Sequence, residues 1–171
     1  MDLDTAVKGR RSIRKYKQMD VPKDAFERIM DAGNWAPSAG NRQSRRFFVA
    51  KQGTRVKEEL AECMNRPQAG KDCAYAVVVC ADKAIGDKFG ERGVELYRIL
   101  DCGAAVQNML LTAYAEGLGG LWVGSFDPEK VRGLLELPEN LDPVSIVLIG
   151  VPDENPEARE RNDWKQETVF L

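Results

Sequence analysis

The chemistry of this chain concentrates in one short stretch, Arg10-Arg11-Ser12-Ile13-Arg14-Lys15-Tyr16, which places four cations and a hydroxyl within six positions. A guanidinium presents a planar fork that grips phosphate oxygens, and a serine adds a short donor. The stretch can therefore cradle an anion, most naturally a nucleotide phosphate. A basic run on a solvated face has the same composition, and the stretch alone does not separate the two readings. A second group, Pro37-Ser38-Ala39-Gly40-Asn41-Arg42-Gln43, is a run of turn formers. Its small members Ala39 and Gly40 would let a flat ligand approach the backbone, and a plain helix-to-strand connection would look the same.

What the chain lacks narrows the chemistry further. Histidine is absent, which removes His-based triads, His-ligated zinc and imidazole general bases. An enzyme built on this sequence draws its chemistry from an organic cofactor or from carboxylates. Cys63, Cys73, Cys80 and Cys102 form no Cys-x-x-Cys pair and read as buried reduced thiols. Lys+Arg total 25 against 27 Asp+Glu, a net charge of −2, which argues against wholesale nucleic-acid binding. No apolar run approaches the roughly 20 residues of a membrane span. Met1-Asp2-Leu3-Asp4 lacks the order of a secretory signal, so the expectation is a cytoplasmic protein.

These residues need a frame. The 171 residues suit one domain, 1–171, with a sizeable core. A short helix is expected over 3–9 and a second from Val21-Pro22-Lys23-Asp24 to about Trp35, where Pro37 disfavours its continuation. Arg46–Ala50 reads as a strand, Gly53–Asn65 as an amphipathic helix, and Asn65–Gly70 as a loop. Tyr75–Ala81 is an unbroken apolar run and hence a buried central strand. Asp82–Gly90 reads as polar loop. Val94–Ala115 is the longest helix, apolar nearly all round; it needs cover from a sheet or a second subunit, and its small residues Gly103, Ala104 and Ala105 favour a homodimer. Glycines 117, 119 and 120 suit a left-handed helix cap. Leu121–Phe126 follows as a strand, Asp127-Pro128-Glu129 starts a helix, and Pro143–Gly150 is the second buried strand. Residues 152–171 form a charged arm with an apolar end, Val169-Phe170-Leu171, expected to dock on a partner subunit. The sum is an α+β fold: a central, mostly antiparallel sheet of four to five strands flanked by helices. Gly117-x-Gly119-Gly120 is not a dinucleotide fingerprint, because it closes a helix and precedes a strand.

Four stretches together resemble the FMN-dependent nitroreductase family. They are Arg10–Tyr16, Trp35–Gln43, Gly117–Gly124 and Arg159-x-Arg161; Asp101–Asn108 also looks like the family's long interface helix. The resemblance implies a nitroreductase-like homodimer with two FMN sites at the subunit boundary and NADH or NADPH as co-substrate. It implies that Arg10, Arg11 and Ser12 hold the FMN phosphate and ribityl chain while Arg159 and Arg161 close over the phosphate. Arg14 would lie near flavin N1 and O2, where a guanidinium stabilises the negative charge that reduction brings. Pro37, Ser38, Ala39, Gly40 and Asn41, with Gln43, would come from the other subunit. Trp122, Val123, Gly124 and Ser125 would border the flavin, with backbone N–H of Gly124 and Ser125 near N5. The loop around Asn65–Lys71 is a further candidate. No catalytic side chain is assigned, since the flavin carries the chemistry, and no metal is expected.

The sequence departs from that pattern in two places. Ser44-Arg45 stands where the family often has Pro-Trp. Little sequence lies between Cys80 and Glu91 to form a covering helix, which implies an open flavin face. The expected reaction is reduction of nitroaromatics, quinones or similar small-molecule acceptors by a ping-pong cycle. A non-catalytic flavin-binding sensor or carrier would use the same phosphate cradle. Trp122 reads equally well as core or as flavin contact. Arg45, Arg46, Lys51 and Lys15 are expected to be solvated.

Overall fold

A computed structural model describes all residues, Met1–Leu171. Helix α1 (Leu3–Gly9) starts where the Asp2 side chain accepts from Thr5 N, 3.0 Å away. Strand β1 (Tyr16–Lys17) leads to α2 (Lys23–Asn34), which buries Ala25, Ile29 and Gly33 on one face. A 3-10 turn over Ala39–Asn41 precedes β2 (Arg45–Lys51). Helices α3 (Arg55–Glu62) and α4 (Pro67–Asp72) follow, then β3 (Tyr75–Asp82). After a 3-10 turn come α5 (Gly86–Arg92), a π turn over Gly93–Tyr97 and the long α6 (Arg98–Ala115). The chain closes with β4 (Gly119–Val123), α7 (Pro128–Leu134) and β5 (Leu141–Pro152).

The five strands form one antiparallel sheet in the order β1-β5-β3-β2, with β4 also paired to β5. Strand β3 is buried at every position because both faces of the sheet are covered. Ala76, Val78, Cys80, Ile146 and Leu148 point to one side and pack with Leu60, Met64, Ala69 and Val131 of the α3, α4 and α7 region. Tyr75, Val77, Val79, Val147 and Ile149 point to the other and meet Ile29 of α2 and Val106, Met109 and Leu110 of α6. The period-2 alternation of a strand thus feeds two cores.

Several expectations need correction. Residues 67–72 are helical rather than looped: Pro67 occupies the first turn, and the buried Lys57 ammonium donates to the Lys71 carbonyl at 2.7 Å, satisfying the helix's C-terminal end. Residues 83–92 are also helical, kinked where Gly90 takes φ 57°. Of glycines 117, 119 and 120 only Gly117, at φ 75°, is left-handed. Gly119 and Gly120 lie inside β4, where a Cβ would come within 2.9 Å of Ile13 and 2.6 Å of Leu110. They are glycines for close approach, not for a cap. Helix α6 finds its burial against the sheet and α2 along Cys102, Ala105, Val106, Met109 and Ala113, while Leu96, Ile99 and Leu100 remain exposed. No helix is long and apolar enough to cross a membrane.

Candidate cofactor site

The basic stretch is held by its apolar members. Ile13 and Tyr16 are buried in the core, and the Tyr16 hydroxyl donates to the Ile13 carbonyl at 2.8 Å. Ile13 N donates to the Gly120 carbonyl at 3.0 Å, so the segment runs beside β4, close because Gly119 has no side chain. Arg14 and Lys15 face solvent. Strand β1 pairs Tyr16 with Pro152 and Lys17 with Val151, which brings the end of β5 beside the basic stretch. Beyond it, Asp153 N donates to the Lys15 carbonyl at 2.9 Å, and the Glu154 carboxylate accepts from Arg14 N at 2.5 Å and Lys15 N at 3.3 Å. The sequence reading missed Glu154, and no local pattern marks it: its partners lie about 140 residues away.

The result is a cavity of about 560 Å³ lined by Arg10, Arg11, Ser12, Arg14, Arg159 and Arg161, together with Val7, Lys8 and residues 156–158. None of its five arginines forms an ion pair with a carboxylate anywhere in the chain. Lys8 is spoken for by Asp4 at 2.7 Å. Partial burial, then the charges of Arg11 and Arg161, pull the Arg10 guanidinium below its ordinary pKa. Like charges converge here, Glu157 in the lining pairs with none of them, and an anion in the cavity would supply the compensation.

Arg14 also lines a second cavity of about 600 Å³ with Leu121, Trp122, Val123, Gly124, Ser125, Asn65 and Arg66. The two spaces therefore meet at Arg14. Trp122 is 44% exposed, so it belongs to this cavity and not to the core. Asn65 is fixed there twice, by its backbone N–H to the Ser125 carbonyl at 3.1 Å and by its side-chain amide to the Ser125 hydroxyl. Of the Asn65–Lys71 segment only Asn65 and Arg66 reach the cavity.

The turn Pro37–Gln43 lines neither cavity. Within one chain it packs instead beside α5, where a Cβ on Gly40 would meet Lys88 and Phe89 at 3.0 Å. The short segment after β3 is thus a helical element beside this turn. Gly40, Asn41 and Gln43 all adopt left-handed backbone, with φ of 53°, 55° and 50°. Contrary to expectation, Arg45 is not solvated. It is 4% exposed and its Nη2 donates to the carbonyls of Asn34 at 2.5 Å and Ala36 at 3.2 Å, closing the end of α2. Burial lowers its pKa while the nearby Asp101 charge opposes that shift. Ser44 is equally buried, so the Ser44-Arg45 pair ties the turn to the interior. Arg46, Lys51 and Lys15 are at the surface.

The family model described as "Nitroreductase family" matches residues 7–72 and 63–151. A Methanothermobacter thermautotrophicus protein, provisionally named an NADH dehydrogenase/NAD(P)H nitroreductase, is 34% identical over 167 residues, 95% of this chain and 84% of the relative. A nitroreductase family protein of Clostridium difficile 630 superposes with a TM-score of 0.83 at 30% identity, covering 99% of this chain and 98% of that one. A Desulfovibrio desulfuricans protein, provisionally named a nitroreductase and crystallised in complex with FMN, gives 0.85 at 28% identity over 100% and 99% of the two chains. Sequence and fold agree over nearly the whole length, and this chain belongs to the nitroreductase family.

Proposed function

We propose that this protein is an FMN-dependent oxidoreductase that takes electrons from NADH or NADPH and passes them to a small oxidant such as a nitroaromatic or a quinone. The observation that carries the reading is the convergence of Arg10, Arg11, Arg14, Arg159 and Arg161, from both ends of the chain, on one cavity with no carboxylate paired to any of them. A terminal phosphate fits that donor set in charge and in hydrogen-bonding geometry. FMN, when bound, supplies the redox chemistry, which the chain's four buried thiols are not placed to do.

The chain's own residues bind, orient and tune. Arg10, Arg11, Ser12, Arg159 and Arg161 hold the phosphate end, and the Glu154 bonds to Arg14 N and Lys15 N keep the cradle's backbone in place. Arg14 lines both cavities and offers positive charge to the ring end. Gly124 and Ser125, beyond the end of β4, present backbone N–H to the ring's edge, with Trp122, Asn65 and Arg66 beside them. No side chain acts as the proton donor; water reaches the open cavity. Nicotinamide and oxidant occupy that face in turn, which gives a ping-pong cycle.

The working unit is a homodimer. The exposed Leu96, Ile99, Leu100 and Trp35 and the apolar end of the arm, with Phe170 82% exposed, support a second copy as their cover. In that dimer the arm 152–171, whose start is bonded to its own chain, docks on the partner through its apolar end, and Pro37–Gln43 of one copy border the flavin of the other. Four buried free thiols support a reducing, cytoplasmic setting. Anaerobic titration of the purified yellow protein with NADH and NADPH tests the proposal. Bleaching within turnover time, reversed by a quinone, is the expected result; flavin that stays bound and oxidised would overturn the enzymatic reading in favour of a sensor or carrier.

A further inference from the structure

We infer that Asp101, at the start of the long helix α6, is a positioning residue that holds the Ser38–Gln43 turn in its left-handed shape ahead of any ligand. The inference rests on the reading above in one respect, that this turn borders the flavin of the second copy.

The turn's own bonds are all made within six residues: Asn41 N to the Ser38 carbonyl at 2.9 Å, Arg42 N to the Ala39 carbonyl at 3.0 Å, and Gln43 N to the Ser38 hydroxyl at 3.0 Å. Against them stand left-handed conformations at Asn41, a residue type that tolerates one, and at Gln43, where it costs about 1–2 kcal/mol. Such conformations persist only where the surroundings over-determine them. Asp101 supplies the determination. One carboxylate oxygen accepts from Ala39 N at 2.9 Å and the other from the Ser44 hydroxyl at 2.7 Å, so a single rigid group pins both ends of the turn to the helix. Asp101 and Ser44 are 5% and 4% exposed, so the bond between them is shielded from water, and the Ala39 bond is half-buried.

A buried carboxylate is an expensive clamp, and Arg45 offsets the cost. Its charge acts on Asp101 from within the same interior, while two of its nitrogens, Nε and Nη1, remain buried without partners. A guanidinium with unused donors is kept here as a counter-charge rather than for a full set of hydrogen bonds. A plain helix-to-strand connection needs neither a buried charge pair nor three left-handed residues.

The test uses the full-length protein with Asp101→Ala and Asp101→Asn. Asparagine can still accept from Ala39 N and donate to the Ser44 hydroxyl; alanine can do neither. Two readouts are followed: the rate of tryptic cleavage after the exposed Arg42, which needs no cofactor, and the FMN Kd from quenching of flavin fluorescence. Asp101→Ala should be cut about tenfold faster and bind FMN about tenfold more weakly, equivalent to about 1.4 kcal/mol; Asp101→Asn, which also deprives Arg45 of its counter-charge, should lose Tm but stay close to wild type in both readouts. A shift in Tm for Asp101→Ala with cleavage and FMN affinity unchanged would show a merely structural residue and overturn the inference. Equal losses in both variants would assign the effect to charge and overturn it as well. Should Asp101→Ala not fold, Ser44→Ala, which deletes one bond of the set, carries the test with about a threefold effect in the same direction; no effect refutes it. Wild-type protein that binds no FMN would instead strike the functional reading and leave the cleavage result to decide this one.

Discussion

Replacing Arg161 by alanine should act with opposite sign on the empty and the loaded protein. In the structure Arg161 donates only to backbone carbonyls of its own segment, Arg159 at 3.5 Å and Glu160 at 3.3 Å, and its charge lowers the pKa of Arg10 after the larger contribution of burial and that of Arg11. Removing it from the empty protein relieves repulsion, so Tm should stay level or rise, within the roughly 0.5 kcal/mol usual for a surface change. The loaded protein loses a hydrogen bond to a charged group, about 1.5–3 kcal/mol, and solvent exposure places Arg161 at the low end of that range. A loss of about 1.5 kcal/mol raises the FMN Kd about tenfold. Arg10, half-buried in the same cavity, should cost more, about thirtyfold or ~2 kcal/mol. Calorimetric titration of apoprotein with FMN and with riboflavin separates the causes, because riboflavin lacks the phosphate. Raising salt from about 0.1 M to about 1 M shortens the screening length from ~10 to ~3 Å and should weaken FMN selectively. Equal losses for FMN and riboflavin, or no loss for either ligand, would refute the phosphate assignment.

Three further outcomes follow from other parts of the molecule. Gly119→Ala places a Cβ 2.9–3.0 Å from three side-chain atoms of Ile13, a β-branched residue that cannot swing away; a destabilisation of about 1–3 kcal/mol in urea melts is expected, with weaker FMN binding because Ser12 is displaced. Asp142 receives Arg98 at 2.7 Å, Arg132 at 2.6 Å and Lys83 at 3.1 Å; burial pushes its carboxyl up, but hydrogen bonds from Arg98 and Lys83 and their charges hold it below its ordinary value. With the folded value depressed, its stabilisation is complete above the unfolded carboxylate pKa of about 3.9 and is lost as pH falls through the folded value, so the wild-type advantage over Asp142→Asn in thermal melts should vanish in strong acid and be constant at neutral pH. Burial raises all four thiols, Cys73 to about 11 and Cys80 and Cys102 to about 12. A disulfide reagent at pH 8 should therefore titrate essentially none in the native protein and all four after unfolding; rapid native reaction of Cys80 or Cys102 would contradict the packing.

Much of this protein was legible in its sequence, and the reason is local. The apolar run Tyr75–Ala81 reads as a doubly covered strand, Pro37 and Asp127-Pro128 mark helix boundaries by steric and capping rules, and the absence of histidine directs the chemistry to a cofactor or to carboxylates. Motifs in a fixed order were enough to indicate the family. What tertiary structure decided is everything that depends on distant groups. Residues 67–72 became a helix because Lys57 satisfies its end, and glycines 119 and 120 entered a strand because Ile13 and Leu110 press on them. Arg45, expected in solvent, lies with Ser44 in the interior, where Asp101, some 57 residues on, accepts from the serine hydroxyl and sets a negative charge near the guanidinium. The meeting of Arg10 with Arg161 follows from the pairing of β1 with the end of β5. A sequence states which charges exist; only the closed chain sets the distances between them, and electrostatic and hydrogen-bond energies depend on those distances.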